Sequence, residues 1–309
     1  MEHDTAGDPM TGIKWTRRTT PKISKALCSL EIDASPNTVA RLLKGLGFRL
    51  RVNRKNIART THVDRDLQFR CIRKRRQLFE SKSLPVVSVD TKKKELIGNF
   101  KNAGTTLEKN PIEVLDHDFR SDAEALAVPY GIYDLQQNHA RIFVGLSSDT
   151  SAFAVDALAH WWTHEGRRTY PKADHVLILA DSGGSNGARV RAWKFELQRK
   201  LCDKFGIGVT VCHYPSGASK WNPIEHRLFA QISRNWRGQP LRSVQTMINY
   251  IRTTTTSTGL KVRASITRRQ YPKGVRITDE QMAELHLRPH DVLPNWNYTL
   301  LPRNLNYLG

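Results

Sequence analysis

Residues 84–90 read Leu-Pro-Val-Val-Ser-Val-Asp. The β-branched run that follows Pro85 suits a strand buried on both faces, and it ends on an acid, Asp90. Two further runs share that texture: Val176-Leu177-Ile178-Leu179-Ala180, which leads into Asp181, and Gly208-Val209-Thr210-Val211-Cys212. Between them the apolar spacing changes to that of helices, over 152–162 and more strongly over 189–205. Pro223 opens a further helix expected over 222–236, with Glu225 in its first turn. Lys92 to Phe100 is expected to turn and return as a second strand, and Arg141 to Leu146 to supply a third. Residues 101–132 lack a regular pattern and read as an insertion. Three strands followed by alternating helix and strand predict a mixed α/β sheet flanked by helices.

Upstream the texture is different. Thr20-Pro21 and Ser35-Pro36 each pair a capping residue with a proline suited to a first helical turn. Ile23, Leu27 and Leu30, then Val39, Leu42, Leu43 and Leu46, recur at helical spacing, and Gly47 is a C-terminal stop. Two short helices in this order predict a helix-turn-helix module. Its second helix offers Asn37, Thr38, Arg41 and Lys44 to a major groove. Arg49, Arg51, Arg54 and Lys55 alternate with other residues, as a segment lying along a phosphate backbone does. A basic helix over 64–80 then links this region, 1–83, to the α/β region, 84–309.

The whole-chain composition agrees with a nucleic-acid partner. Across 309 residues, 49 Lys and Arg outweigh 29 Asp and Glu to give a net charge of +20, which attracts polyanions. Charge alone leaves a ribosome-associated or merely basic protein open. Cys28, Cys71, Cys202 and Cys212 are scattered without a C-x-x-C pair, which speaks against a structural zinc site or a disulfide framework and suits a reducing cytoplasm. No apolar run approaches the roughly 18 residues of a membrane span, and the start, Met-Glu-His-Asp-Thr, is not a secretory signal.

Asp90, Asp181 and Glu225 stand where a sheet edge gathers side chains, Asp181 lying 91 residues after Asp90 and Glu225 a further 44. Carboxylates at neighbouring strand ends share a crevice in which their repulsion is costly unless cations neutralise it. Oxygen ligands of this kind suit a pair of Mg²⁺ ions about 3.5–4 Å apart, with Mn²⁺ as a substitute. The flanks sharpen the pattern: Ser182-Gly183-Gly184-Ser185-Asn186-Gly187 lets backbone approach a phosphate. In the loop before Glu225, Lys220 is a phosphate contact and Trp221 a stacking surface for a base or a core residue. Lys92, Lys93, Lys94 and Arg227 are candidate phosphate contacts beside the metals. Asp116, Asp118, Asp134 and Asp149 are rival acids that rank lower, because none both ends a long buried strand and sits in so specific a block.

Three blocks, 89–95 (Val-Asp-Thr-Lys-Lys-Lys-Glu), 180–187 (Ala-Asp-Ser-Gly-Gly-Ser-Asn-Gly) and 219–229 (Ser-Lys-Trp-Asn-Pro-Ile-Glu-His-Arg-Leu-Phe), resemble the signature blocks of the Rhodopirellula-type DDE transposases of bacterial insertion sequences. The stretches 129–134, 161–162, 235–238 and 296–298 look similar too, and Asn222-Pro223-Ile224-Glu225 also resembles the wider mariner-like group. The resemblance implies a ribonuclease H-like catalytic domain with Asp90, Asp181 and Glu225 as metal ligands. It further implies metal-dependent cleavage at element ends and strand transfer into double-stranded DNA. Pairing of the ends by a homo-oligomer at the bacterial nucleoid follows from the same likeness. Family members carry a longer region before the segment near Gly7-Asp8-Pro9-Met10, which raises the expectation of a shortened reading frame. Two other readings stay open: a catalytically silent DNA-binding remnant or regulator, and a related nuclease of the same fold.

Overall fold

The structure is a computed structural model that describes residues 5–7, 14–16, 18–50 and 63–303. The chain divides into two compact units, Met1–Ala58 and Arg59–Gly309.

In the first unit, β1 (Thr5–Gly7) and β2 (Lys14–Thr16) pair antiparallel. Helices α1 (Thr20–Cys28) and α2 (Pro36–Gly45) follow. Their shared core is small: Ile23, Ala34 and Val39, with Leu27 and Leu43 packed against it. Leu30, Leu42 and Leu46, expected to face inward, are 67%, 54% and 73% exposed. Leu30 and Leu46 lie beyond the helix ends, where helical spacing no longer sets their direction. The caps also differ. Ser35 Oγ accepts the Thr38 N–H at 3.2 Å, whereas α1 begins one residue earlier than expected, with Thr19 as N-cap and no side-chain bond there. Gly47 does end α2: at φ +83° it lets its own N–H reach Lys44 O and the Phe48 N–H reach Leu43 O, a Schellman closure.

The second unit opens with α3 (Arg65–Ser81), the expected basic helix. One face of it is not solvated. Ile72 and Phe79 are buried against Val86, Leu177, Leu179 and Cys212 of the sheet, and Gln68 exchanges amide hydrogen bonds with Asn297 at 2.6 and 2.9 Å. Next come β3 (Val86–Thr91), β4 (Glu95–Ile97), β5 (Ala125–Asp134) and β6 (His139–Gly145). Helix α4 (Ser151–Trp161) continues through a π-helical turn, Trp162–Gly166, into α5 (Arg167–Thr169). Then follow β7 (His175–Asp181), α6 (Arg191–Leu197) with its π-helical extension Gln198–Asp203, and β8 (Gly208–Tyr214). A π-helical turn, Glu225–Phe229, leads into α7 (Ala230–Asn235). Helix α8 (Val244–Arg252), β9 (Lys261–Thr267), α9 (Asp279–Ala283), β10 (Leu287–Pro289) and β11 (Asn297–Leu300) complete the unit.

The sheet runs β10-β11-β8-β7-β3-β5-β6-β9, with β4 paired to β5. Within it, β6, β5 and β3 form an antiparallel meander, and β7 and β8 extend it in parallel with β3. This is the mixed sheet flanked by helices that the sequence predicts, except that the second strand is β5 and not the 92–100 segment. Only Glu95–Ile97 of that segment is extended, and it pairs with the start of β5. Pro129 hid β5 inside the expected insertion, since proline argues against a central strand. The ladder tolerates it because its carbonyl, which accepts the Lys92 N–H at 2.9 Å, points to the side where β3 pairing has ended. A proline at that place therefore leaves no ladder donor missing toward β6.

Alternation along β3 and β7 assigns the faces. Val87, Val89, Val176, Ile178 and Ala180 join the core under α4 and α6. Leu177 and Leu179 face α3, and Asp90 and Asp181 continue that second face. Gly131, opposite Asp90 in register, lies beneath the turn that carries Glu225. A Cβ built there falls 2.7 Å from the Phe229 ring and 2.8 Å from Ile224 Cδ1. Gly131→Ala is therefore expected to overpack this contact and cost about 1–3 kcal/mol in urea unfolding. An unchanged midpoint would show that the Glu225 turn does not rest on this close approach.

Candidate active site

Three elements converge at one end of the central strands. In the parallel ladder Val89 pairs with Ala180, so the next residues, Asp90 and Asp181, stand side by side. Glu225 arrives on the π-helical turn that crosses the same face. Its approach is set by a buried polar relay. Ile224 N donates to Ser88 Oγ at 3.2 Å, Ser88 Oγ donates to Asn222 Oδ1, and Asn222 Nδ2 donates to Asp181 Oδ1 at 3.2 Å. Ser88 and Asn222 are both fully buried. Neither drew notice in the sequence, although the Asn-Pro-Ile-Glu block contains one of them. The signal was there: a serine inside an apolar strand, and an asparagine directly before the helix-opening Pro223, whose side chain turns to the strands instead of capping.

Behind Asp181, His213 is fully buried, and burial drives its pKa down to about 4. The neutral ring places Nδ1 2.9 Å from Asp181 O and Nε2 3.1 Å from Tyr298 Oη. A carbonyl only accepts, so Nδ1 carries the hydrogen and Nε2 accepts from the tyrosine.

The electrostatics of the acids are uncompensated. Burial first, then Asp181, raises Asp90 to about 8, with Glu225 and Asp149 adding to the rise and the Thr91 N–H, 2.7 Å from Oδ1, opposing it. Burial raises Asp181 to about 6 against the bond from Asn222, and Glu225 adds to the rise. Glu225 is raised by burial too, offset in part by His226 and Lys92. An all-oxygen, electron-rich donor set that resists ionisation alone fits a hard divalent cation such as Mg²⁺ or Mn²⁺. Among the described residues no three His, Cys, Asp or Glu side chains are grouped tightly enough to enclose one ion.

The other expected contacts are distributed unevenly. Lys93 and Lys94 are exposed and share an open cleft with Asp90 and Asp181. Glu225, Lys220 and His226 line an adjoining cleft that has Lys92 and Lys93 in common with the first. Lys92 is not a free hand: it is 7% exposed, 2.5 Å from Glu95 Oε1, and lies over the Trp236 ring at 4.6 Å. Trp221 is 55% exposed, edge-on to Phe69 and beneath Lys220 Nζ at 5.5 Å, which makes it a surface ring and not a core one. Arg227 is exposed. In the first unit Asn37, Arg41 and Lys44 are exposed on α2. Thr38 is half-buried with its hydroxyl beside Ser35 Oγ, and Arg49 Nη1 donates to the terminal carbonyls of Lys44 and Phe48. Arg51, Arg54 and Lys55 lie outside the described residues.

Of the rival acids, Asp134 sits at the opposite end of β5, where Tyr170 Oη and the N–H groups of Gln136 and Gln137 bind it, a turn-closing role. Asp116 and Asp118 are exposed in the irregular segment. Asp149 is at the site, 3.2 Å from Thr91 Oγ1.

The raised aspartates fix a pH dependence. Asp90 ionises near 3.8 when unfolded and near 8 when folded, so between those values the native state holds more protons and loses stability as pH rises. Asp90→Asn removes that penalty. In chelator it should raise Tm at pH 8 by about 3 °C or more and at pH 4 by much less. The same increment at both pH values would remove electrostatic strain as its cause.

No curated protein matches the chain at a significant level. Among solved structures the chain is similar to a Mos1 transposase paired-end complex with the left transposon end, at 16% identity and a TM-score of 0.47, over 76% of this chain and 65% of that one. A pre-cleavage Mos1 transpososome gives 16% and 0.48, over 76% and 66%. The Mos1 mariner paired-end complex with Mn gives 17% and 0.46, over 76% and 65%. The chain thus spans about two thirds of the length of the Mos1 chains it matches. The model of the family described as Rhodopirellula transposase DDE domain matches residues 1–302. That match covers the strands, the acids and the turn that brings them together, and the chain belongs to this transposase family.

Proposed function

We propose that the protein is the transposase of an insertion sequence, cutting DNA at the element ends and joining the freed 3′-hydroxyl to target DNA. The observation that carries this reading is the meeting of Asp90, Asp181 and Glu225 at one sheet end, held by the Ser88–Asn222 relay. Divalent ions bound there would activate the attacking oxygen and neutralise charge on the leaving one. Asp90, Asp181 and Glu225 would be the ligands. In the first step water attacks the phosphorus, the P–O3′ bond breaks, and a 3′-hydroxyl and a 5′-phosphate result. In the second, that hydroxyl attacks a target phosphorus, a new P–O3′ bond forms, and the target strand's own 3′-oxygen leaves and takes up a proton. Both steps depend chiefly on positioning, with no covalent enzyme intermediate.

The chain's own side chains suit the binding side of this work. Lys93, Lys94 and Lys220 flank the carboxylate groove and meet phosphates, while Trp221 offers a ring to an unstacked base. We assign end recognition to residues 1–83, through Asn37, Thr38, Arg41 and Lys44 of α2 as the groove-reading helix and through Arg49, Arg51, Arg54 and Lys55 on the backbone. Catalysis falls to residues 84–309, and Arg227 completes the phosphate contacts. Pairing two element ends calls for at least two copies of the chain at the nucleoid, within the cytoplasm.

Labelled duplexes carrying the element ends, incubated with Mg²⁺, Mn²⁺ or chelator, test this reading. Wild-type protein should nick and join only with metal. Asp181→Asn should lose about 10²–10³-fold or more of that activity while binding the ends unchanged. Cleavage by the variant at the wild-type rate would sink the assignment. Salt-sensitive binding with no cleavage under any metal would favour a DNA-binding regulator, and preference for an RNA–DNA hybrid a related nuclease.

A further inference from the structure

We infer that Asp149 is a fourth carboxylate of the cation centre, anchoring the water shell of the ion that Asp90 and Asp181 hold, from the sheet face opposite Glu225. The inference rests on the reading of Asp90 and Asp181 as ligands and goes beyond it.

Sidedness is the first ground. Glu225 rides on the turn packed over Gly131, on the face that Asp90 and Asp181 share. Thr91, one residue on from Asp90, points to the other face by strand alternation, the face of Tyr130 and Phe153 beneath α4. There its hydroxyl donates to Asp149 Oδ1 at 3.2 Å. Asp149 immediately precedes the α4 N-cap, Thr150, whose hydroxyl accepts the Phe153 N–H. The next residue, Ser151, donates to Ser185 O at 2.5 Å in the turn after Asp181. The segment holding Asp149 is thereby tied to both strands that carry the aspartates. Asp149 Oδ2 makes no hydrogen bond among the described residues, and the carboxylate lines the same cleft as Asp90 and Asp181.

The second ground is independent of the acids. Asn186, 1% exposed, lines that cleft with a buried Nδ2 that has no partner. Tyr130 Oη, fully buried, is likewise unpartnered, and the charges that act on it are those of Asp90 and Asp149. Leaving a buried donor unmet costs about 1–3 kcal/mol. Two such donors beside a cluster of carboxylates call for an occupant that brings oxygen acceptors yet is not repelled by the acids. A hydrated divalent cation together with the phosphate oxygens it binds does both: its charge is attracted, its waters donate to the carboxylates, and the phosphate oxygens accept from the two buried donors. Asp149 reaches the ion through those waters, which donate to its carboxylate.

Manganese binding to the purified full chain, followed by the loss of the free Mn²⁺ signal in electron paramagnetic resonance, tests this without turnover. Asp149→Asn keeps an acceptor for Thr91 and so preserves the local fold, which circular dichroism checks. It should weaken Mn²⁺ binding about 10-fold or more, and Asp149→Glu should recover part of that loss. Asp181→Asn serves as the reference and should weaken binding at least as much. Wild-type affinity in Asp149→Asn beside a clear loss in Asp181→Asn overturns the role of Asp149 and leaves the centre itself standing. Equal affinity in all four proteins, or none in the wild type, overturns the centre and this inference together.

Discussion

The parallel pairing of β3 with β7 is the constraint on which the rest of the site depends. Four residue pairs, from Val86–Leu177 to Val89–Ala180, fix the register, and the two residues that follow are both aspartates. A slip of one residue would turn one of the acids into the α4 core. Register is strongly specified here because the alternate positions, Val87, Val89, Ile178 and Ala180, are fully buried. Apolar burial on one face therefore sets the placement of charge on the other. Burial first, with the neighbouring carboxylates adding to it, raises Asp90 and Asp181 above their ordinary range, a strain the fold tolerates because the surrounding core over-determines it.

Polar groups below the acids hold the strain in place. Asn222 uses its amide hydrogens on Asp181 and on the Val89 carbonyl and its oxygen on Ser88. It thereby links both aspartate strands to the loop that precedes Glu225. His213 does the same for the Asp181 backbone from the β8 side. These are buried and satisfied groups, which rigidify a site in proportion to how completely they are paired. The acids above them are the reverse case, buried and not balanced. A pre-formed, electron-rich crevice over a floor tied together by Asn222 and His213 suits a cation centre, since the ion's binding energy then need not reorganise the protein.

Much of this was legible in the sequence, and what was not has identifiable causes. The runs at 86–90, 176–180 and 208–212 declared themselves because strands buried on both faces are dominated by β-branched and aliphatic residues, with only Ser88 and Thr210 as small polar members. Strand β5 was masked by Pro129 and Gly131, each of which argues against a strand; one sits where a ladder bond is not needed and the other where Ile224 and Phe229 leave no room for a side chain. Strand β9 alternates charged and apolar residues at a sheet edge, and β10 and β11 are only three and four residues long. Pattern alone does not raise such segments above loop. Helix α3 looked solvated because its cations dominate its composition, yet Ile72, Phe79 and Gln68 are buried, and three positions suffice for a docking face.

Asp149 shows where sequence reasoning about sites fails for a physical reason. Acids at the ends of buried strands can be found because the strand supplies the context. An acid just before a helix N-cap looks like an ordinary turn residue, and nothing local distinguishes it. Its place beside Asp90 comes from two long-range ties, Thr91 to Asp149 and Ser151 to Ser185, which exist only once α4 has packed on the sheet. The first tie does depend on something local: Thr91 follows Asp90, so a strand that presents its aspartate to one face must present the next hydroxyl to the other. A strand end of the form Asp-Thr thus carries its own reach to the far face, where its hydroxyl meets the acid that precedes the following helix.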